Sequence, residues 1–125
     1  MSTTDLTTES FEKTVTDNSI VFVDFWASWC GPCKMFAPVY EKVSKEHEDV
    51  VFGKVDTEAE QGIAAAAQIS SIPTLMAFRD GIMVFRQAGA LGEKDFAGLV
   101  DAVKGLDMDE VRAEVAKAQA DGSAE

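Results

Sequence analysis

The hydrophobic positions of the chain fall into blocks whose spacing changes along its length. Ile20-Val21-Phe22-Val23-Asp24-Phe25-Trp26 is apolar at both parities. That lack of alternation predicts a strand buried on both faces, in the centre of a sheet covered by helices on two sides. Val50-Val51-Phe52-Gly53-Lys54-Val55 reads as a second buried strand. Leu75-Met76-Ala77-Phe78 and Met83-Val84-Phe85 flank Arg79-Asp80-Gly81-Ile82, and the Asp-Gly pair predicts a hairpin. Between these blocks the period becomes helical. Over residues 34–47 the apolar Phe36, Val39, Tyr40 and Val43 share one face, and Pro38 inside the run predicts a kink. Residues 58–68 are Ala-rich and helical, with Ile63 as anchor, and residues 93–104 bury Phe96, Leu99, Val100 and Val103. A short amphipathic segment over residues 8–18 comes before all of them.

The predicted order is β-α-β-α-β-β-α, an α/β fold with a central mixed sheet and helices on both faces. Gly105 closes this unit, so residues 1–105 read as one domain and residues 106–125 as an acidic C-terminal extension. Asp107 with Glu110 three positions on resembles a helix-capping pair. Met108, Val111 and Val115 lie on one side of the segment after Asp107, which predicts an extra terminal helix with residues 120–125 loose.

Composition and charge narrow the function. At 125 residues there is room for one core, and 46% hydrophobic with 26% charged residues describes an ordinary globular protein. A net charge of −11, with Lys and Arg scattered rather than striped, repels phosphate backbones and argues against nucleic-acid or anionic-membrane partners. Apolar runs fall far short of the roughly eighteen residues that a membrane span needs. The first twenty residues lack a basic segment followed by an apolar one, so the expected location is the cytoplasm.

The two cysteines stand together as Cys30-Gly31-Pro32-Cys33. A disulfide closing so small a loop restricts the unfolded chain by only about 2 kcal/mol, which suits a bond that is made and broken. Cys30 follows a predicted buried strand and opens a predicted helix, so its sulfur lies near free helix amides that favour a thiolate. Cys33, three residues on, shares that helix face and can attack a mixed disulfide held by Cys30. Pro32 suits a first helical turn and supplies no amide. Zinc needs four ligands, and the chain offers two thiols and His47, which reads as a surface residue. Residue 34 is Lys, not the His of a c-type haem site. Redox exchange and a pair of inert buried thiols remain, with exchange favoured. Asp24, inside a strand apolar on both faces, should have a raised pKa unless it reaches solvent at the strand end. The 5–6% base rate of cis bonds before proline makes Pro73 trans on sequence alone.

Trp26-Ala27-Ser28-Trp29-Cys30-Gly31-Pro32-Cys33-Lys34-Met35-Phe36-Ala37-Pro38 resembles the active-site signature of the thioredoxins. Ile72-Pro73-Thr74 is similar to the family's cis-proline loop, Asp80-Gly81 to its hairpin, and Ala88-Gly89-Ala90 to its substrate-facing glycine turn. The match runs over about residues 6–105, and the chain continues twenty residues past the usual end. The resemblance implies the thioredoxin fold and a monomeric protein-disulfide reductase and electron carrier, with Cys30 as nucleophile and Cys33 as resolving thiol. It implies that Asp24 is a buried base that accepts the Cys33 proton through water, with Lys54 as its charge partner. It also implies a cis bond at Pro73 and a flat, mostly apolar docking surface of Trp29, Gly31, Pro32, Ile72, Pro73, Gly89 and Ala90, with Trp26 packed beneath. No bound cofactor is expected, because the dithiol carries the electrons. The implied partners are disulfide-containing proteins and an NADPH-dependent flavoenzyme, thioredoxin reductase. The alternatives are a non-catalytic binding module of this fold and a more oxidising oxidase or isomerase. Gly-Pro between the cysteines, rather than a His-containing pair, favours a reductant.

Overall fold

The computed structural model describes residues 3–122. Five strands form one sheet in the order β1-β3-β2-β4-β5: β1 (Thr3–Asp5), β2 (Ile20–Trp26), β3 (Val51–Asp56), β4 (Thr74–Arg79) and β5 (Ile82–Ala88). β3 runs parallel to both β1 and β2, whereas β4 lies antiparallel to β2 and β5 to β4. The sheet is mixed, as the block order predicts.

Helices α2 (Gly31–Ser44) and α4 (Glu93–Lys104) cover one face. Their side of the core joins Phe22, Phe36, Tyr40, Phe52 and Phe96, with Phe22 stacked on Phe52 at 5.6 Å and Tyr40 on Phe96 at 5.4 Å. Tyr40 donates to the carbonyl of Gly53 at 2.7 Å, which satisfies its buried hydroxyl. Helices α1 (Phe11–Asp17) and α3 (Gln61–Ala66) lie against the other face, where Leu6, Val15, Val21, Val23, Phe25 and Met76 pack. Alternate residues of β2 thus feed two cores, the physical reason its sequence shows no period of two.

Several elements depart from expectation. β1 is absent from the expected order, because Thr3-Thr4-Asp5 carries no apolar residue; backbone pairing with β3 makes it a strand. α2 begins at Gly31 and ends at Ser44, short of residue 47, and it continues through Pro38. α3 occupies only Gln61–Ala66 of the predicted 58–68, because Asp56 Oδ1 accepts from the amides of Glu58 and Ala59 and holds that stretch as a turn. Leu99 is half-buried, since its helix already presents Phe96, Val100 and Val103 to the core. His47 is half-buried, with Nδ1 3.2 Å from Lys104 Nζ, rather than a free surface residue.

The segment after Gly105 forms α5 (Met108–Gly122), capped by Asp107 Oδ1, which accepts from the amides of Asp109 and Glu110. Helix therefore continues through residues 120–122, expected to be loose; residues 123–125 lie outside the described residues. Met108 is buried, and Arg112 bridges to Asp80 at the hairpin turn at 3.2 Å. A groove of about 560 Å³ runs between Ile82, Met83 and Val84 of β5 and Val111 and Val115 of α5.

Candidate active site

β2 delivers the chain to Trp26, a short turn follows, and Cys30 caps α2. Cys30 adopts extended backbone angles (φ −87°, ψ 114°), which aim its side chain at the first helical turn. The amide of Cys33 donates to Cys30 Sγ at 3.2 Å. Pro32 stands in that first turn, where a missing amide is not needed. Cys30 and Cys33 form a disulfide with their Cα atoms 5.2 Å apart. Cys30 Sγ thus sits at the N-terminus of α2, where the helix dipole is positive.

The two sulfurs face different spaces. Cys30 lines an open groove of about 640 Å³, walled by Trp29, Gly31 and Pro32 on one side and by Ile69, Ser70, Ser71 and Ile72 on the other. Thr57, Gln61, Ala64 and Ala65 complete it, so its lining carries no charged side chain although the chain's net charge is −11. Trp29 is 67% exposed, yet its indole is held: Nε1 donates to Glu58 Oε1 at 2.8 Å. Cys33 instead lines a separate cavity of about 270 Å³ with Trp26, Ala27, Ser28, Lys34, Ala37 and Lys54.

Asp24 lies on the same face of β2 as Trp26, with Lys54 as its register partner on β3. It has no exposed surface, and neither carboxyl oxygen has a hydrogen-bond partner among the described residues. Burial pushes its pKa up from 3.8 to about 7, against the opposing pull of the Lys54 charge. Lys54 does not bond the carboxyl; its ammonium stands over the Trp26 ring, 5.0 Å from the centroid.

The Ile72–Pro73 peptide is cis, and the Ile72 carbonyl oxygen lies 3.6 Å from Cys30 Sγ. Gly89, at φ 105°, donates its amide to the Pro73 carbonyl at 2.8 Å, which ties the end of β5 to this loop. The expected docking residues are thus divided. Trp29, Gly31, Pro32 and Ile72 meet around the groove, Gly89 and Ala90 are exposed beyond it, and Pro73 is buried. Ala64 and Ala65 of α3 and residues 69–71 also border this open groove. Sequence reasoning missed Glu58, Thr57, Gln61, Ser70 and Ser71: Glu58 and Gln61 lie in a block read only as helix, and Thr57, Ser70 and Ser71 lie in no periodic block.

These features match known proteins. The sequence profile of the Thioredoxin family matches residues 2–104. The chain belongs to the thioredoxin family. A putative thioredoxin 2 of Streptomyces coelicolor is 56% identical over 119 residues, covering 95% of this chain and 89% of that protein. A thioredoxin of Mycobacterium tuberculosis is 46% identical over 90 residues, covering 70% of this chain and 78% of that one. Among solved structures, a thioredoxin variant from Halobacterium salinarum superposes with a TM-score of 0.76 at 30% identity, over 83% of this chain and 92% of that chain. A Plasmodium falciparum thioredoxin superposes with 0.74 at 34% identity, over 79% and 97%. An alignment over 119 of the 125 residues extends well into α5, so the Streptomyces relative shares most of the segment after Gly105.

The protein is therefore a dithiol-disulfide oxidoreductase with thioredoxin function, and its electrons are carried by Cys30 and Cys33. No cluster of three or more His, Cys, Asp or Glu suited to a metal ion occurs among the described residues. No described helix is long and apolar enough to cross a membrane.

Proposed function

We propose that this thioredoxin is a monomeric, general protein-disulfide reductase of the cytoplasm, reduced in turn by an NADPH-fed flavoenzyme, thioredoxin reductase. One observation carries the reading: Cys30 opens on an uncharged groove, while Cys33 stands behind it on the cavity beside Lys54. The Cys30 thiolate attacks one sulfur of a target disulfide and expels the other as a thiolate, which takes a proton from water. Cys33, losing its proton, attacks Cys30; the second target thiol leaves, and Cys30–Cys33 is oxidised as the target gains two electrons and two protons. Asp24 takes the Cys33 proton through water, a role supported by a pKa raised to about 7, and Lys54 supplies the charge that keeps the base from rising further. Trp29, Gly31, Pro32, Ile72, Gly89 and Ala90 present the docking surface, with buried Pro73 shaping the loop beneath it, and the Ile72 backbone pairs with an extended segment of the target.

Gly31 and Pro32 add no side-chain donor or positive charge beside the thiolate. A more stabilised thiolate would make the pair more oxidising, so this dipeptide supports a reductant. Residues 1–105 form the exchange unit, and residues 106–125 are an appended segment. α5 meets the hairpin at Asp80, about 20 Å along β4 from Thr74, which follows Pro73. The test is reduction of insulin disulfides driven by dithiothreitol. Wild type is expected to accelerate it strongly and Cys30→Ser to abolish the acceleration. A folded wild type without acceleration would overturn the reading in favour of a binding module.

A further inference from the structure

Residues 69–72 form the wall of the groove opposite Trp29, and that wall hangs from a lightly anchored helix. α3 has six residues, none fully buried. It ends with the Gln68 amide donating to Ala65 and the Ile69 amide to Ala64, each at 3.0 Å, a closure that needs a left-handed residue. Here that residue is Gln68 at φ 55°, a position glycine normally fills. The closure leaves the carbonyls of Ala67 and Gln68 facing outward. Arg86 takes both: Nη1 donates to Ala67 at 2.7 Å and Nη2 to Gln68 at 2.9 Å.

Arg86 lies on β5 opposite Met76 of β4, three residues past Pro73. Its planar guanidinium therefore ties the start of the loop to the sheet beside the loop's end, with two donors in a fixed fork. The far end of the loop is held separately, by Gly89 on Pro73 and by Thr74 Oγ1 on the Ser71 carbonyl at 2.5 Å.

We propose that Arg86 is a positioning residue for protein substrates: by clamping the Ala67 and Gln68 carbonyls it holds residues 69–72 at the separation from Trp29 and Cys30 that a docked polypeptide requires. The inference rests on the reductase reading for its kinetic consequence. A small disulfide needs only the Cys30 sulfur, whereas an extended polypeptide must also meet the Ile72 wall. Loss of the clamp thus separates the two classes of substrate.

The test compares wild type with Arg86→Met, which keeps the aliphatic stem, and Arg86→Lys, which keeps a single donor. Arg86→Met is expected to raise KM for insulin about fivefold, the effect of losing charge-assisted bonds at an exposed site, with kcat unchanged. The rate with 5,5′-dithiobis(2-nitrobenzoate) stays at the wild-type value, and Arg86→Lys falls between. Amide hydrogen exchange at residues 69–72 quickens in Arg86→Met. An unchanged KM, an equal loss toward insulin and the small disulfide, or a raised KM without faster exchange at residues 69–72 would each overturn the proposal. If wild type itself fails to reduce insulin, the reductase reading falls, and the exchange measurement alone decides the clamp.

Discussion

Asp24 places a carboxyl where it has no exposed surface and, among the described residues, no hydrogen-bond partner, on the β2 face that also carries Trp26. Burial holds the proton on it up to about pH 7, against an ordinary value of 3.8. The folded chain thus binds this proton more tightly than the unfolded chain. Its contribution to stability is complete below about pH 4 and is lost as pH rises through 7, a span of about 4 kcal/mol. Asp24→Asn, which cannot ionise, should therefore gain stability relative to wild type between pH 4.5 and pH 8 in urea unfolding. A constant difference across that range would show that the carboxyl is not titrating in the fold. In the exchange reaction, the same variant should slow release of the mixed disulfide at neutral pH more than its formation, and equal slowing of both steps would remove Asp24 from the proton path. That a charge sits in this strand was legible from the apolar run around it. Its lack of a partner was not, because that depends on where Lys54 turns its ammonium: over Trp26.

Between elements, Gly53 in the middle of β3 leaves no room for a side chain. A Cβ built there would collide with Leu6 Cδ1, lie 2.9 Å from Leu6 Cγ and approach the Phe22 carbonyl at 3.5 Å. Leu6 follows β1 directly and is buried among Val21, Val23 and Phe25, so its side chain can give way only by repacking that core. Gly53→Ala is expected to cost about 1–3 kcal/mol by overpacking, measured as a lowered denaturation midpoint with unchanged slope. A neutral substitution would mean that β1 is loosely held. The long blocks were readable as elements because burial on one or two faces imposes a period. β1 and the ends of α3 were not, since backbone pairing and an Asp56 turn, rather than side-chain pattern, set them.

On the scale of the whole molecule, α5 closes the hairpin side of the fold through buried Met108 and the Arg112–Asp80 bridge. Truncation after Leu106 would remove buried Met108 and further uncover half-buried Ile82 and Val84, and is expected to cost about 2 kcal/mol, or a melting temperature lower by roughly 5–10 °C. Insulin reduction at 25 °C should be unchanged; its loss would show that α5 belongs to the exchange unit. The amino-acid sequence by itself determined the order and type of the principal elements, the two-sided burial of β2, the acidic character of the surface and the Cys30–Cys33 pair. Each of these is written in neighbouring residues, through period, spacing or composition. The tertiary structure alone decided that Ile72 lies beside Cys30 across 42 positions of chain, that Glu58 holds Trp29, and that Arg86 holds the loop between them. Such contacts depend on strand order and on how turns aim side chains, and no local pattern in the chain encodes them.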